Sequence, residues 1–198
     1  MDIIKDIKKV LQNRTLQTVE DLQSQYRHGA VLIPLFQYDG EYRILFTKRT
    51  NKVEEHKGQI SFPGGSVDDE DWSYQETALR EAYEEVGIFK EDVTILGQTD
   101  DTLTLASNFI IHPFVGCIPY PYDFQLNTFE VKRLIEVPVE VFISEDSTNP
   151  NGRVEYNGDI WNGLTYEYQG DVIWGATAKI MGNLMEIIGQ KLVLPRSM

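Results

Sequence analysis

The sequence predicts an α+β domain in layers. Three observations carry that expectation: apolar runs on either side of Asp39-Gly40, a glycine turn at Gly64-Gly65 leading to a capped amphipathic helix, and a second helical pattern over residues 172 to 188. At 198 residues, with 41% hydrophobic and 11% aromatic content, the chain is long enough for one well-cored domain.

Ile3, Ile4, Ile7, Val10 and Leu11 recur at helical spacing, so the chain opens on a short amphipathic helix. A polar stretch over residues 12 to 28 follows, which divides the chain into a lead-in segment, 1–28, and a domain, 29–198. Residues 30 to 37 and 42 to 48 read as paired strands, because Asp39-Gly40 accepts the positive φ that a two-residue hairpin turn requires. After a charged loop, 49 to 58, a short strand over 59 to 62 delivers Gly64-Gly65, where glycine permits a close backbone approach to a ligand. Residues 93 to 96, 102 to 105 and 109 to 118 read as further strands, the last closed by Pro119 and Pro121. A second hairpin is expected from 153–156 and 164–168, around a loop that holds Trp161. The pattern from 172 to 188 is helical again, with Ile173, Ala176, Ile180, Leu184, Ile187 and Ile188 on one packed side.

The helix between these strand groups is the most informative element. Ser73 and Glu76 form a capping box and Gly87 supplies a left-handed terminator, which sets the helix at about residues 74 to 86. Leu79, Ala82, Tyr83 and Val86 fall on one face, expected to pack, and Glu81, Glu84 and Glu85 fall on the other. Acidic residues on an amphipathic helix are ordinarily its solvated face. Here, however, Glu81 and Glu85 are a like-charge i,i+4 pair, and the cluster lies toward the C-terminal end, where the macrodipole favours cations. A divalent cation relieves both penalties, and Mg²⁺ bridges carboxylates to phosphates. Arg80 stands beside the cluster, able to pair with a carboxylate or reach a phosphate.

Gly65, Asp71, Arg80-Glu81 and Glu84-Glu85-Val86-Gly87-Ile88 together resemble the Nudix box of Nudix hydrolases. Asp71 takes the place of the usual glutamate, and Arg80 follows after eight residues where seven are usual. A narrower resemblance, to the coenzyme A pyrophosphatase branch, rests on residues 45 to 50 (Leu-Phe-Thr-Lys-Arg-Thr), Gly58-Gln59, Phe62-Pro63-Gly64-Gly65, the spacing of Asp68, Asp71 and 77–80, then 113–116, 136–138 and 173–178. The branch usually carries an arginine where this chain has Glu54, with Lys52, His56 and Lys57 as neighbouring cations.

The resemblance implies a Nudix-like α/β/α sandwich with a mixed sheet, and hydrolysis of coenzyme A or its thioesters to 3′,5′-ADP and 4′-phosphopantetheine or its acyl form. It implies Mg²⁺ or Mn²⁺ held by Glu81, Glu84 and Glu85, with Glu84 as ligand or base and Gly65 offering a backbone carbonyl. Arg80 and Glu84 are the catalytic candidates, and Arg49, Lys57, Gly64 and Gly65 the candidates for substrate contact. A base from another loop is the alternative, with Glu130, Glu136 and Glu140 available. Two other readings stay open: a Nudix hydrolase of ADP-ribose, NADH or a dinucleotide polyphosphate, and a nucleotide-binding module without turnover.

The net charge of −13 argues against a nucleic-acid surface, since that binding depends on Lys and Arg neutralising phosphates. The expected partner is a small nucleotide diphosphate, on a monomer or homodimer. Cys117 is the only cysteine, which excludes an internal disulfide. Neither a signal peptide nor a membrane span is readable, and a cytoplasmic enzyme is expected. His28, His56 and His112 lack metal-site spacing and are expected at the surface or packed, while Trp174 and Phe109 are expected in the core.

Overall fold

The computed structural model describes residues 3–52, 57–104 and 107–188. Helix α1 spans Ile3–Gln12; strands β1, Arg27–Tyr38, and β2, Glu41–Arg49, form the first hairpin. Its turn residues Asp39 and Gly40 both have positive φ, 50° and 81°, and the register pairs Tyr38 with Glu41, as the sequence predicts. Two short strands, β3 (Ile60–Ser61) and β4 (Gly64–Ser66), lead to helix α2, Tyr74–Val86. The predicted caps are present. Ser73 accepts a hydrogen bond from the Glu76 N–H, and Gly87 at φ 73° closes the helix by donating to the carbonyls of Ala82 and Tyr83.

Strands β5 (Thr94–Gln98), β6 (Thr102–Thr104) and β7 (Phe109–Cys117) follow, then β8 (Val131–Pro138). Strand β8 is absent from the sequence-based assignment. Its exposed Lys132-Arg133 pair interrupts the alternation, but Val131, Ile135 and Val137 are buried against β2. Strands β9 (Thr148–Tyr156), β10 (Asp159–Tyr168) and β11 (Asp171–Ile173) make a separate antiparallel sheet, and helix α3 runs Gly175–Ile188. The second hairpin therefore turns at Asn157-Gly158, with φ 52° and 86°, and Trp161 lies in strand β10 instead of a loop. Val172 and Ile173, expected as the first helical residues, lie in β11 and pair with β10 because Gln169-Gly170 makes another tight turn.

The main sheet has eight strands and is mixed: β1 pairs parallel with β7, while its other ladders are antiparallel. Alternation along β1 sends its side chains into two cores. Ile33 and Leu35 join Ile7 and Leu11 of α1 and Ile180, Met181 and Leu184 of α3. Ala30, Leu32 and Phe36 join Ala78, Ala82 and Val86 of α2. The result is the α/β/α sandwich, with α2 on one face and α1 and α3 on the other. No helix among the described residues is long and apolar enough to cross a membrane.

Candidate active site

Strand β4 lies along β1, pairing Gly29 with Ser66 and Val31 with Gly64, and α2 packs over both. A Cβ on Gly64 would stand 2.5 Å from the Ala30 carbonyl, so only glycine fits this ladder. A Cβ on Gly65 would stand 2.5 Å from the carboxyl carbon of Glu81. Glycine here lets the acid on α2 lie directly on the backbone of the loop.

Two environments follow along the helix. The first is centred on Arg80. Its Nε and Nη2 donate to the two oxygens of Asp71 at 2.9 and 2.8 Å, Nη1 donates to Glu81 at 2.8 Å, and Nη2 also donates to the Ser66 carbonyl at 3.1 Å. Asp71 additionally accepts from the Thr77 hydroxyl and the Asp68 N–H. These bonds, from Arg80 first, hold Asp71 well below the usual carboxylate range. Arg80 is thereby engaged in fixing Glu81 and the glycine loop, and the shorter aspartate suits the lengthened Asp71–Arg80 spacing by making a bidentate pair.

The second environment is Glu85. The sequence places it on a face turned away from the core, and the structure corrects that: Glu85 is 3% exposed, whereas Tyr83, expected to pack, is 50% exposed. The packed stripe is Thr77, Ala78, Ala82, Glu85 and Val86. Small Ala78 and Ala82 bring the helix close to β1, and the stripe turns toward Glu81 and Glu85. Oε1 of Glu85 is 3.5 Å from Nη1 of Arg49, and its Oε2 is buried with no hydrogen-bond partner, as is Nε of Arg49. Burial pushes Glu85 up to about 8, against the pull of Arg49, with Glu81 and Glu130 adding repulsion. Glu81 is raised as well, chiefly by burial and against the pull of Arg80.

A buried acid oxygen without a hydrogen-bond partner, beside a second raised carboxylate, is an oxygen donor set that Arg49 and Arg80 compensate only in part. That fits a divalent cation. Among the described residues no three His, Cys, Asp or Glu side chains converge into a closed cage, so Glu81 and Glu85 form an open pair. An open pair suits Mg²⁺, which keeps several waters and takes phosphate oxygens. Glu84 lies at the rim, with its side chain 54% exposed and 3.4 Å from Arg80.

A cleft of about 250 Å³ opens beside this pair, lined by Arg49, Gln59, Gly64, Gly65, Thr104 and Thr177 among others. Lys57 is exposed on the loop before β3 and is not part of the lining. Of the three alternative bases, Glu130 is close enough to act on both Glu81 and Glu85. Glu136 instead accepts from the Tyr120 hydroxyl at 3.1 Å, and Glu140 is exposed on a short 3-10 turn after β8. His28 and His112 pack together, their ring nitrogens 3.0 Å apart, and Nδ1 of His112 is 2.8 Å from Asp101. His56 and Glu54 lie outside the described residues. Phe109 and Trp174, expected in the core, are only half-buried and stand on cavity walls, Phe109 beneath the Arg27 guanidinium. Ser61, Thr104 and Ser107 also line the cleft, with Thr177 of the 173–178 segment; the first three are small polar residues on separate segments, and no local pattern marks them in the sequence.

A glycine strand held against a carboxylate-bearing helix, clamped by an arginine, defines a diphosphate hydrolase. Residues 26–156 match the NUDIX domain family, and the chain belongs to the Nudix hydrolases, pyrophosphohydrolases that act on nucleoside diphosphate derivatives and generally use divalent ions. It is 36% identical over 165 residues to an uncharacterized Nudix hydrolase NudL of Photorhabdus laumondii, covering 83% of this chain and 87% of that one. With a NudL of Enterobacter it shares 37% over 169 residues, 83% of this chain and 84% of the other. Among solved structures, the Nudix hydrolase RenU of M. smegmatis matches with a TM-score of 0.58 at 16% identity, covering 86% of this chain and 90% of that one.

Proposed function

We propose that this enzyme hydrolyses the diphosphate of coenzyme A or its thioesters, yielding 3′,5′-ADP and 4′-phosphopantetheine or its acyl form, with Mg²⁺ or Mn²⁺ bound to Glu81 and Glu85. The supporting observation is spatial. Segments distant in sequence that carry the coenzyme A branch resemblance, represented by Arg49, Gln59, Gly64, Gly65, Ala176 and Thr177, line one cleft. Thr177 donates from its hydroxyl to the Ile60 carbonyl at 3.0 Å, which ties the two walls together.

When bound, the ion would neutralise diphosphate charge and acidify the attacking water. The chain's own residues do the rest. Arg49 supplies a cation to the phosphates, and its buried Nε gains the partner it lacks. Gly64 and Gly65 allow the phosphate to approach the backbone. Arg80 acts as a positioning residue for Glu81, Glu84 adds a carboxylate at the rim, and Glu130 accepts a proton from the water. A non-catalytic module has no use for a buried acid with an oxygen left unsatisfied, and the geometry favours turnover.

The deciding experiment is turnover of CoA with Mg²⁺ against ADP-ribose, NADH and a dinucleotide polyphosphate, with products identified. CoA as the best substrate, cut to 3′,5′-ADP, is the expected result. Cleavage of ADP-ribose but not CoA would overturn the substrate and leave the Nudix chemistry standing.

A further inference from the structure

Next to the cleft lies a second, larger cavity of about 1030 Å³, and the two share Gln59, Thr104, Ser107, Ala176 and Thr177 as lining. A substrate anchored by its diphosphate at Arg49 therefore has this groove as its immediate neighbour, across walls that the two cavities share. Its far wall is aromatic: Trp161 and Tyr156 come from the β9–β10 hairpin, and Trp174 stands just before α3. The ring centroids of Trp161 and Trp174 are 5.5 Å apart, and those of Tyr156 and Trp174 5.4 Å. The platform is built in place. A Cβ on Gly163 would stand 2.7 Å from the Trp161 ring, so the indole lies folded over a position that only glycine leaves free. All three rings are half-buried, and the Tyr156 hydroxyl has no hydrogen-bond partner.

Resting on the diphosphate-hydrolase reading above, we infer that this groove binds the nucleobase half of the substrate, with Trp161 as its main stacking and specificity-determining residue. The chemistry selects that half. A flat base gains from a flat π face, and Asn157 and Asp159 along the groove supply a donor and acceptors for its edge. A flexible pantetheine arm has no planar face to match these indoles. Lys179, exposed on the same groove, offers a cation to a phosphate on the ribose.

The test separates the two halves of the substrate. In Trp72→Phe protein, which removes the 91% exposed indole, 3′,5′-ADP should quench the remaining tryptophan fluorescence saturably, and 4′-phosphopantetheine should not. Trp161→Ala should raise KM for CoA about 10-fold and weaken inhibition by 3′,5′-ADP equally, with kcat within about twofold. Trp161→Phe should restore most of the loss. If Trp161→Ala does not fold by thermal melt, Trp161→Leu, which keeps apolar bulk without a π face, should show the same KM effect. An unchanged KM in a folded Ala or Leu variant, or quenching by phosphopantetheine instead of 3′,5′-ADP, overturns the inference. Should the wild type cleave ADP-ribose and not CoA, the same KM effect with ADP-ribose still supports the groove although the substrate proposal fails.

Discussion

Arg80 and Glu85 lie little more than one turn apart on the same helix and meet opposite fates. The arginine donates five hydrogen bonds, to Asp71, Glu81, Glu84 and Ser66, and balances its charge within the protein. The glutamate is buried with an unpartnered oxygen and a guanidinium only at 3.5 Å. A folded chain has no structural reason to retain the second arrangement, since a buried acid without full compensation is destabilising. The satisfied cluster is architecture, and the unsatisfied acid is the group that the proposed function assigns to a metal ion.

The largest expected effect comes from neutralising the unsatisfied side. Glu85→Gln should lower turnover by at least ~100-fold, about 2.7 kcal/mol of barrier, while metal-free stability stays level at neutral pH, where the buried acid holds its proton, and exceeds that of the wild type above about pH 8. Kinetics at saturating Mg²⁺ with a parallel thermal melt decide it; near-normal turnover would remove Glu85 from the ligand set.

Next in size is a pH effect confined to metal-free protein. Glu85 ionises at an ordinary value of 4.5 when unfolded and at about 8 when folded, so the native state holds its proton longer. The resulting stability is complete below the unfolded value and is lost as pH rises through the folded one, on the order of a few kcal/mol. In chelator, the melting temperature should fall between pH 5 and 8, and Mg²⁺ should flatten the curve by binding only the native, ionised pair. A flat curve in chelator, or no response to Mg²⁺, would show that the acid is compensated from within.

Breaking the satisfied side should act differently. Asp71→Ala leaves Arg80 without its bidentate partner, and a loss of roughly 2 kcal/mol in stability is expected from the charged hydrogen bonds removed. Turnover should fall less than in Glu85→Gln, and the main kinetic sign should be a weaker apparent affinity for Mg²⁺, as Glu81 loses its fixed geometry. A kinetic loss as large as that of Glu85→Gln, without loss of stability, would erase the distinction between the two clusters.

The smallest effect concerns Glu54, which stands in the sequence where the coenzyme A branch usually carries an arginine. Glu54→Arg should lower KM for CoA a few-fold with little change in kcat, because a remote phosphate contact strengthens ground and transition states alike. Unchanged constants would show that Glu54 does not face the substrate.

What could be read from the sequence followed the range of the interaction. Caps and tight turns depend on neighbours a few positions apart, so Ser73, Gly87 and Asp39-Gly40 announced their elements directly. Asn157-Gly158 carries an equally strong signal; weighing it would have placed Trp161 in a strand. Strand β8 was hidden because its partner is β2, remote in sequence, and its alternation shows only once that ladder is known. The acids of α2 were legible as a cluster, and Leu79, Ala82 and Val86 pack as periodicity predicts, but it put Tyr83 inside and left Glu85 outside. Large Leu79 and Tyr83 dominate a helical wheel, yet it is the small alanines that let a helix sit tight on a sheet and draw Glu85 in. The cleft lining beyond the glycine loop depends on contacts between separate segments, such as Thr177 with Ile60, that no local pattern encodes.

On a ribosome, the β1–β2 hairpin, the glycine strand and α2 all emerge before β7, the parallel neighbour of β1. His28 and His112, in contact across that pair, are 84 positions apart. Until β7 arrives, one edge of the central strand has no neighbour, and closing so long a loop is slow compared with hairpin and helix formation. The carboxylate helix is thus synthesised well before the strand that completes the sheet beneath it. Nascent chains arrested between residues 90 and 108 should accordingly be protease-sensitive and present that bare edge to chaperones.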